Sequence, residues 1–148
     1  MPTLPIKQPL SLKNPLPLLT SPSSTFNPTL AGRAIVDSLK YLQQRLEWSG
    51  AKIAKTLHLP ANTVTTWLSN GSIPIHSPVL HPDIQAIIHL LAIHRSLEAM
   101  FNDPAHQRMW LATSHPELNA IPEKLMSESL EGLIFVRQYL DYARGKGA

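Results

Sequence analysis

From Asn27 onward the apolar residues recur in helical periods. Ile35, Val36, Leu39, Leu42 and Leu46 fall mostly three or four apart, which lays one apolar stripe along an α-helix. Asn27 can cap that helix, and Pro28 suits its first position because the ring presets φ and no intrahelical acceptor awaits its missing amide. A helix over about 28–47 follows. Between Ser49 and Asn70 the pattern shortens: Ile53 and Leu57 lie four apart, Leu59 stands alone, and Val64 and Trp67 lie three apart. This predicts a short helix, a three-residue turn and a second short helix, with Trp67 assigned to the core. After a linker over 70–82 broken by prolines, a long helix is expected from Asp83 to Phe101. Ile84, Ile87, Ile88 and Leu91 line one side of it, and Leu90, Ile93, Leu97 and Met100 another. A helix apolar on two faces is either sandwiched within its fold or shared with a second subunit. Asp103 and Pro104 open a short helix through Trp110 and Leu111, and Pro122 opens another. Ser127 or Ser129 can cap a last helix, which carries Leu130, Leu133, Val136 and Leu140 on one face and Phe135, Tyr139 and Tyr142 on another, with Gly145 as its end. The fold class is all-α.

Composition separates the first segment from the rest. Seven of the 14 prolines lie in the first 28 residues, and each removes an amide donor and biases its predecessor toward extended conformations. Residues 1–27 are read as an extended, disordered, Pro-rich arm. The arm lacks the uninterrupted apolar run of about 7–15 residues that marks a secretory signal, and no stretch of about 18 apolar residues could span a bilayer. With 148 residues the chain is too short for a large multi-domain enzyme. The absence of cysteine excludes a disulfide scaffold, a thiolate metal site and a Cys nucleophile, and suits a reducing cytoplasm. Charge is unevenly divided: residues 1–82 carry seven Lys/Arg against two Asp/Glu, and residues 83–148 carry six against eight. A basic first half and an acidic second half point to two different partners.

The two short helices have the spacing of a DNA-binding helix-turn-helix, whose second helix presents its outer face to the major groove. The turn position four after Ala54, where glycine is usual, is His58, which tolerates positive φ at some cost. The outward residues of the second helix are Asn62, Thr63, Thr66, Ser69 and Asn70, with no Arg or Lys among them. Asn can read adenine in bidentate fashion, and hydroxyls can bond phosphate or base edges. Positive charge would come from Lys52 and Lys55 on the preceding helix, with Arg33, Lys40 and Arg45 more distant. Two short amphipathic helices around a turn also occur as a packing-only hairpin.

In the second half, LEAMFNDPAHQRMWL over 97–111, LNAIPEKL over 118–125, SLEG over 129–132, Val136 with Leu140, and Gly145 resemble the toxin-binding domain of Xre/MbcA/ParS-type antitoxins. In that family the pattern follows an Xre-like helix-turn-helix, the order found here. The resemblance departs at Ala120, where the family usually has Gly before the Pro. It implies a helix-turn-helix domain with its linker over 28–82 and a small helical toxin-binding domain over 83–148. It further implies a cytoplasmic, dimeric antitoxin without enzymatic activity or cofactor. Its partner would be a RES-type toxin, an ADP-ribosyltransferase-like enzyme that consumes NAD, neutralised by covering its active-site cleft. The same protein would bind operator DNA and repress its own operon. Trp110, Leu111, Pro122, Gly132, Val136 and Leu140 match the family motif, and most of them are expected to hold the fold. In the tail, Tyr139, Tyr142, Arg144, Gly145 and Lys146 combine aromatics and cations before a glycine-rich end that could enter a pocket made for an anionic dinucleotide. Gly132, a poor helix former, could permit close approach of another backbone.

No catalytic constellation accompanies these features. His76, His81, His89 and His94 form the one histidine cluster, but His89 and His94 are five apart and do not share a helix face as a ligand pair at i, i+4 would. Ser114 and His115 lack a nucleophile elbow or oxyanion hole, and the six glycines form no phosphate-binding loop. Two functions from different classes are expected: an antitoxin that occludes a toxin and binds operator DNA, or a stand-alone helix-turn-helix regulator whose second half is a dimerisation domain.

Overall fold

The computed structural model describes residues 27–75 and 81–147. The expected Pro-rich arm, apart from Asn27, lies outside the described residues, as do His76 and the middle of the linker. Among the described residues seven helices follow in order: α1 (Pro28–Leu46), α2 (Gly50–Leu57), α3 (Ala61–Asn70), α4 (Pro82–Met100), α5 (Pro104–Ala112), α6 (Pro122–Glu128) and α7 (Leu130–Gly147). No strand forms among them; one isolated antiparallel bridge joins His115 and Ala120. The chain is all-α.

Local chemistry sets the helix starts. The Asn27 side chain accepts from the Leu30 amide at 3.0 Å, Ser49 Oγ from Lys52 at 3.0 Å, and Asp103 Oδ1 from Ala105 at 2.9 Å. Each satisfies a first-turn donor that has no intrahelical acceptor. Of the two serines able to cap the last helix, Ser129 does so: its Oγ accepts from the Gly132 amide at 2.9 Å. Three ends turn through the left-handed region, at Glu47 (φ 57°), His58 (φ 62°) and Gly71 (φ 75°). The last helix continues past Gly145, its expected end, through Gly147. Gly145 does not take the positive φ of a terminating residue, and Arg144 and Lys146 in the last turn complement the negative end of the helix dipole.

The two-faced α4 is sandwiched. It contacts α1, α2, α5 and α7. On one side Arg137 Nη1 donates to His89 Nδ1 at 3.0 Å and Arg144 Nη1 to Ser96 Oγ at 3.1 Å, so α7 runs parallel to α4. On the other side the Tyr41 hydroxyl of α1 donates to the Glu98 carboxylate at 2.5 Å. Ile87, Leu90, Ile93 and Leu97 are buried between these layers, in one core cluster that also takes Val36, Leu39 and Leu42 from α1, Ile53 and Leu57 from α2, and Leu133, Val136 and Leu140 from α7. Trp67 is half-buried against that cluster. Polar ties join the two halves of the chain at its edges. His58 Nε2 pairs with the Met126 carbonyl at 3.0 Å, and Arg108 Nη1 donates to the Arg45 carbonyl at 2.9 Å.

Two glycines are there because a backbone passes over them. A Cβ on Gly32 would collide with the Ile73 carbonyl oxygen, and one on Gly132 with the Leu125 carbonyl oxygen. The first contact lets the segment after α3 fold back onto α1, where the Ile73 amide reaches the Gly32 carbonyl at 3.4 Å. The second brings α6 against α7. Gly145 has open space around it. Gly32→Ala and Gly132→Ala are therefore each expected to destabilise by about 1–3 kcal/mol through overpacking, whereas Gly145→Ala should stabilise by up to about 1 kcal/mol through helix propensity. Urea unfolding of the three variants checks this order; equal shifts for all three would contradict it.

Candidate functional site

The last helix divides its residues between core and solvent. Leu133, Val136 and Leu140 point inward and are fully buried, while Phe135 and Tyr142 are 47% and 64% exposed. Seven residues apart, these two rings lie two turns from each other on one outward stripe. Tyr139 flanks the stripe, half-buried. Its ring stacks on Trp110 of α5 with centroids 6.4 Å apart, and Trp110 stacks on His115 at 4.7 Å. His115 is held by its Nε2 contact to the Trp110 carbonyl at 2.8 Å and by its amide, which donates to the Ala120 carbonyl at 3.1 Å. The left-handed residue of this loop is Asn119 (φ 53°), one position before Ala120. Asn adopts that conformation more readily than most residues, so the loop closes without glycine at 120. Burial raises the Tyr139 phenol pKa, with Glu117 and Tyr142 adding to the shift.

The expected tail residues therefore separate. Tyr142, Gly145 and Lys146 are exposed, with Lys146 Nζ 5.9 Å from the Tyr142 ring centroid. Arg144 is exposed as well, and its Nη1 donates to Ser96 Oγ of α4 at 3.1 Å. Leu111, Pro122, Gly132, Val136 and Leu140 are buried and Trp110 is half-buried. Phe135 joins the exposed stripe although no motif singled it out; its signal was its place on one helical face with Tyr139 and Tyr142.

A second face lies on α2 and α3, joined by His58, Leu59 and Pro60. Asn62, Thr66, Ser69 and Asn70 are exposed along α3, and Thr63 is half-buried. Lys55 is exposed. Lys52 is not free: its Nζ lies 3.1 Å from Glu123 Oε2 of α6 and 4.9 Å from the Trp48 ring centroid. That pairing spans 71 positions of sequence.

Between α1, α4 and α5 sits a polar pair that periodicity could not reveal. His94 is buried, 4% exposed, and Gln107 is fully buried. Gln107 Nε2 donates to the Phe101 carbonyl at 2.9 Å, while His94 Nε2 and Gln107 Oε1 find no hydrogen-bond partner among the described residues. A cleft of about 310 Å³ opens beside His94, with Tyr41, Arg95 and Glu98 on its walls. Burial lowers the His94 pKa, against the opposing influence of the Glu98 carboxylate and Gln107. Burial and the Arg137 guanidinium lower that of His89. The two imidazoles face different helices, His89 toward Arg137 of α7 and His94 toward Tyr41 of α1. Among the described residues no group of three or more His, Cys, Asp or Glu is arranged to hold a metal ion, and no helix is long and apolar enough to cross a membrane.

Residues 96–146 match the antitoxin Xre/MbcA/ParS C-terminal toxin-binding domain. The match supports an Xre/MbcA/ParS-type antitoxin. Comparison with curated proteins gives no match. The matched segment begins within α4 and takes in α5, α6 and nearly all of α7, so the stripe of Phe135 and Tyr142 and the Trp110–Tyr139 stack all lie in it.

The two lowered imidazole pKa values fix the sign of the pH dependence. Both lie below the unfolded value of 6.5, so as pH falls past that value the unfolded chain takes up protons first and stability is lost. The urea midpoint should be lower at about pH 5.5 than at about pH 7.5, and His94→Gln should flatten the difference. A wild-type midpoint that does not move over this range would contradict the assignment.

Proposed function

We propose that the chain is the antitoxin of a type II toxin–antitoxin pair, which neutralises a RES-type, NAD-consuming toxin by covering its active-site cleft. The observation that carries this reading is the coincidence of the family match over 96–146 with an exposed aromatic stripe on α7 inside it. Large aromatics supply much of the binding energy at protein interfaces, and a monomer gains nothing from exposing Phe135 and Tyr142 one above the other. Tyr139 stiffens the stripe from beneath through its stack on Trp110. Gly145 and Lys146 prolong it toward the chain end, where a cation suits a cleft built for an anionic dinucleotide.

The remaining functions fall to the first half. In this reading α2 and α3 act as a DNA-binding helix-turn-helix that represses the antitoxin's own operon, with Asn62 and Thr66 reading bases and Ser69 and Asn70 near the backbone. The division into 28–82 and 83–148 is one of function, laid over a single shared core. The protein acts as a cytoplasmic homodimer and catalyses nothing itself.

The α7 stripe is tested by co-expressing the full chain with a RES-type toxin from any reading frame adjoining its own. Phe135→Ala combined with Tyr142→Ala should keep the helical circular dichroism spectrum, since both rings are exposed, but lose growth rescue and co-purification, with affinity reduced about 100-fold or more. A double variant that rescues and co-purifies like the parent would overturn the stripe as the toxin contact. One that loses self-association alone would favour the stand-alone regulator with a dimerisation face.

A further inference from the structure

The flanks of α2 are occupied unequally. Gly50 faces α3, with Leu68 and Thr65 within ordinary contact distance of the position its Cβ would take. Lys52, on the opposite flank, reaches Glu123 of α6. Lys55 lies exposed between them. The helix α6 is fastened at this place by the contact of His58 Nε2, in the turn before α3, with the Met126 carbonyl. Anything laid along the exposed strip of α2 therefore meets α3 on one side and α6 on the other. Between α2 and α6 runs a groove of about 400 Å³ lined by Lys52, Lys55, Glu123, Lys124 and Ser127, among others. Three lysines and one carboxylate share its lining. That carboxylate engages Lys52, whereas Lys55 and Lys124 have no ion pair among the described residues.

We propose that this groove seats a backbone phosphate of duplex DNA, so that the DNA contact crosses from the helix-turn-helix onto α6 and uses Lys124 of the toxin-binding half. The inference rests on the DNA-binding reading given above. The groove adjoins the turn that leads into the exposed polar side of α3, and its charge is complementary to a phosphate chain. Lys55 and Lys124 supply the first cations. Lys52 supplies a third by exchanging the Glu123 carboxylate for phosphate oxygen, which makes Glu123 a competitor that tempers affinity. This also answers how a recognition helix without Arg or Lys can hold a polyanion: positive charge flanks the helix instead of riding on it.

The test is a gel-shift titration of the full chain on a duplex from the region preceding its own coding sequence, against a shuffled duplex, over a series of salt concentrations. Lys124→Gln should weaken both duplexes alike and lower the slope of log K against log salt by about 0.9, the release expected for one phosphate contact. Glu123→Gln should tighten binding about two- to fivefold, the range for relieving one partly exposed ion pair. Asn62→Ala should instead reduce the preference for the upstream duplex. If the parent chain shifts neither duplex at low salt, the DNA-binding reading fails and the groove with it. If the parent binds and Asn62→Ala weakens it, while Lys124→Gln and Glu123→Gln leave slope and affinity unchanged, the groove proposal alone fails. Loss of toxin co-purification by Lys124→Gln with DNA binding intact would give the groove to a protein partner and likewise overturn it. Thermal unfolding of each variant, expected to stay near the parent's, separates these outcomes from misfolding.

Discussion

Burial of α4 on both flanks is the constraint on which the rest of this fold depends. A helix that is apolar on two faces must bury both, which takes two layers, and here α1 and α2 provide one layer and α7 the other. Because α7 must give its Leu133, Val136 and Leu140 side to that sandwich, its other side is left to solvent, and Phe135 and Tyr142 fall there. The exposed stripe is thus a consequence of how the core is closed. The same sandwich draws residues of the basic and acidic halves into one cluster.

That arrangement sets the α3 face and the α7 stripe on one shared core. The short pair α2–α3 is joined to α6 by His58 and Lys52, and α6 is pressed against α7 at Gly132. A path of direct contacts therefore connects the polar face of α3 to the aromatic face of α7. The contacts are of different kinds: a ring nitrogen on a carbonyl, an ion pair, and a glycine under a passing backbone. Only the ion pair can be exchanged for another partner without unpacking anything, and for that reason the DNA proposal turns on Glu123.

Much of the fold was legible because its helix starts and stripes are local matters. Asn27, Ser49 and Asp103 each cap a helix within three residues of themselves, and the inward positions of α4 and α7 follow a helical period. The positive φ at His58 could be inferred from a position where glycine is usual, but Glu47 and Asn119 carry no comparable mark. Nothing in the helical period marks Gly32, over which the Ile73 carbonyl passes. Of the candidate site, the exposure of Tyr142 and of the α3 polar residues followed from the wheel. The Trp110–His115–Tyr139 stack, the turn of Arg144 toward Ser96 and the Lys52–Glu123 pair did not, because each depends on which helices meet.

The central claim is that α7 meets the toxin while α3 meets DNA. Site-specific photocrosslinking in the full chain tests it most directly, with the photoreactive group placed at position 142 or at position 66 and the chain presented with the toxin candidate and the upstream duplex together. The account predicts a toxin adduct from position 142 and a DNA adduct from position 66. A toxin adduct from position 66 with none from position 142 would contradict it.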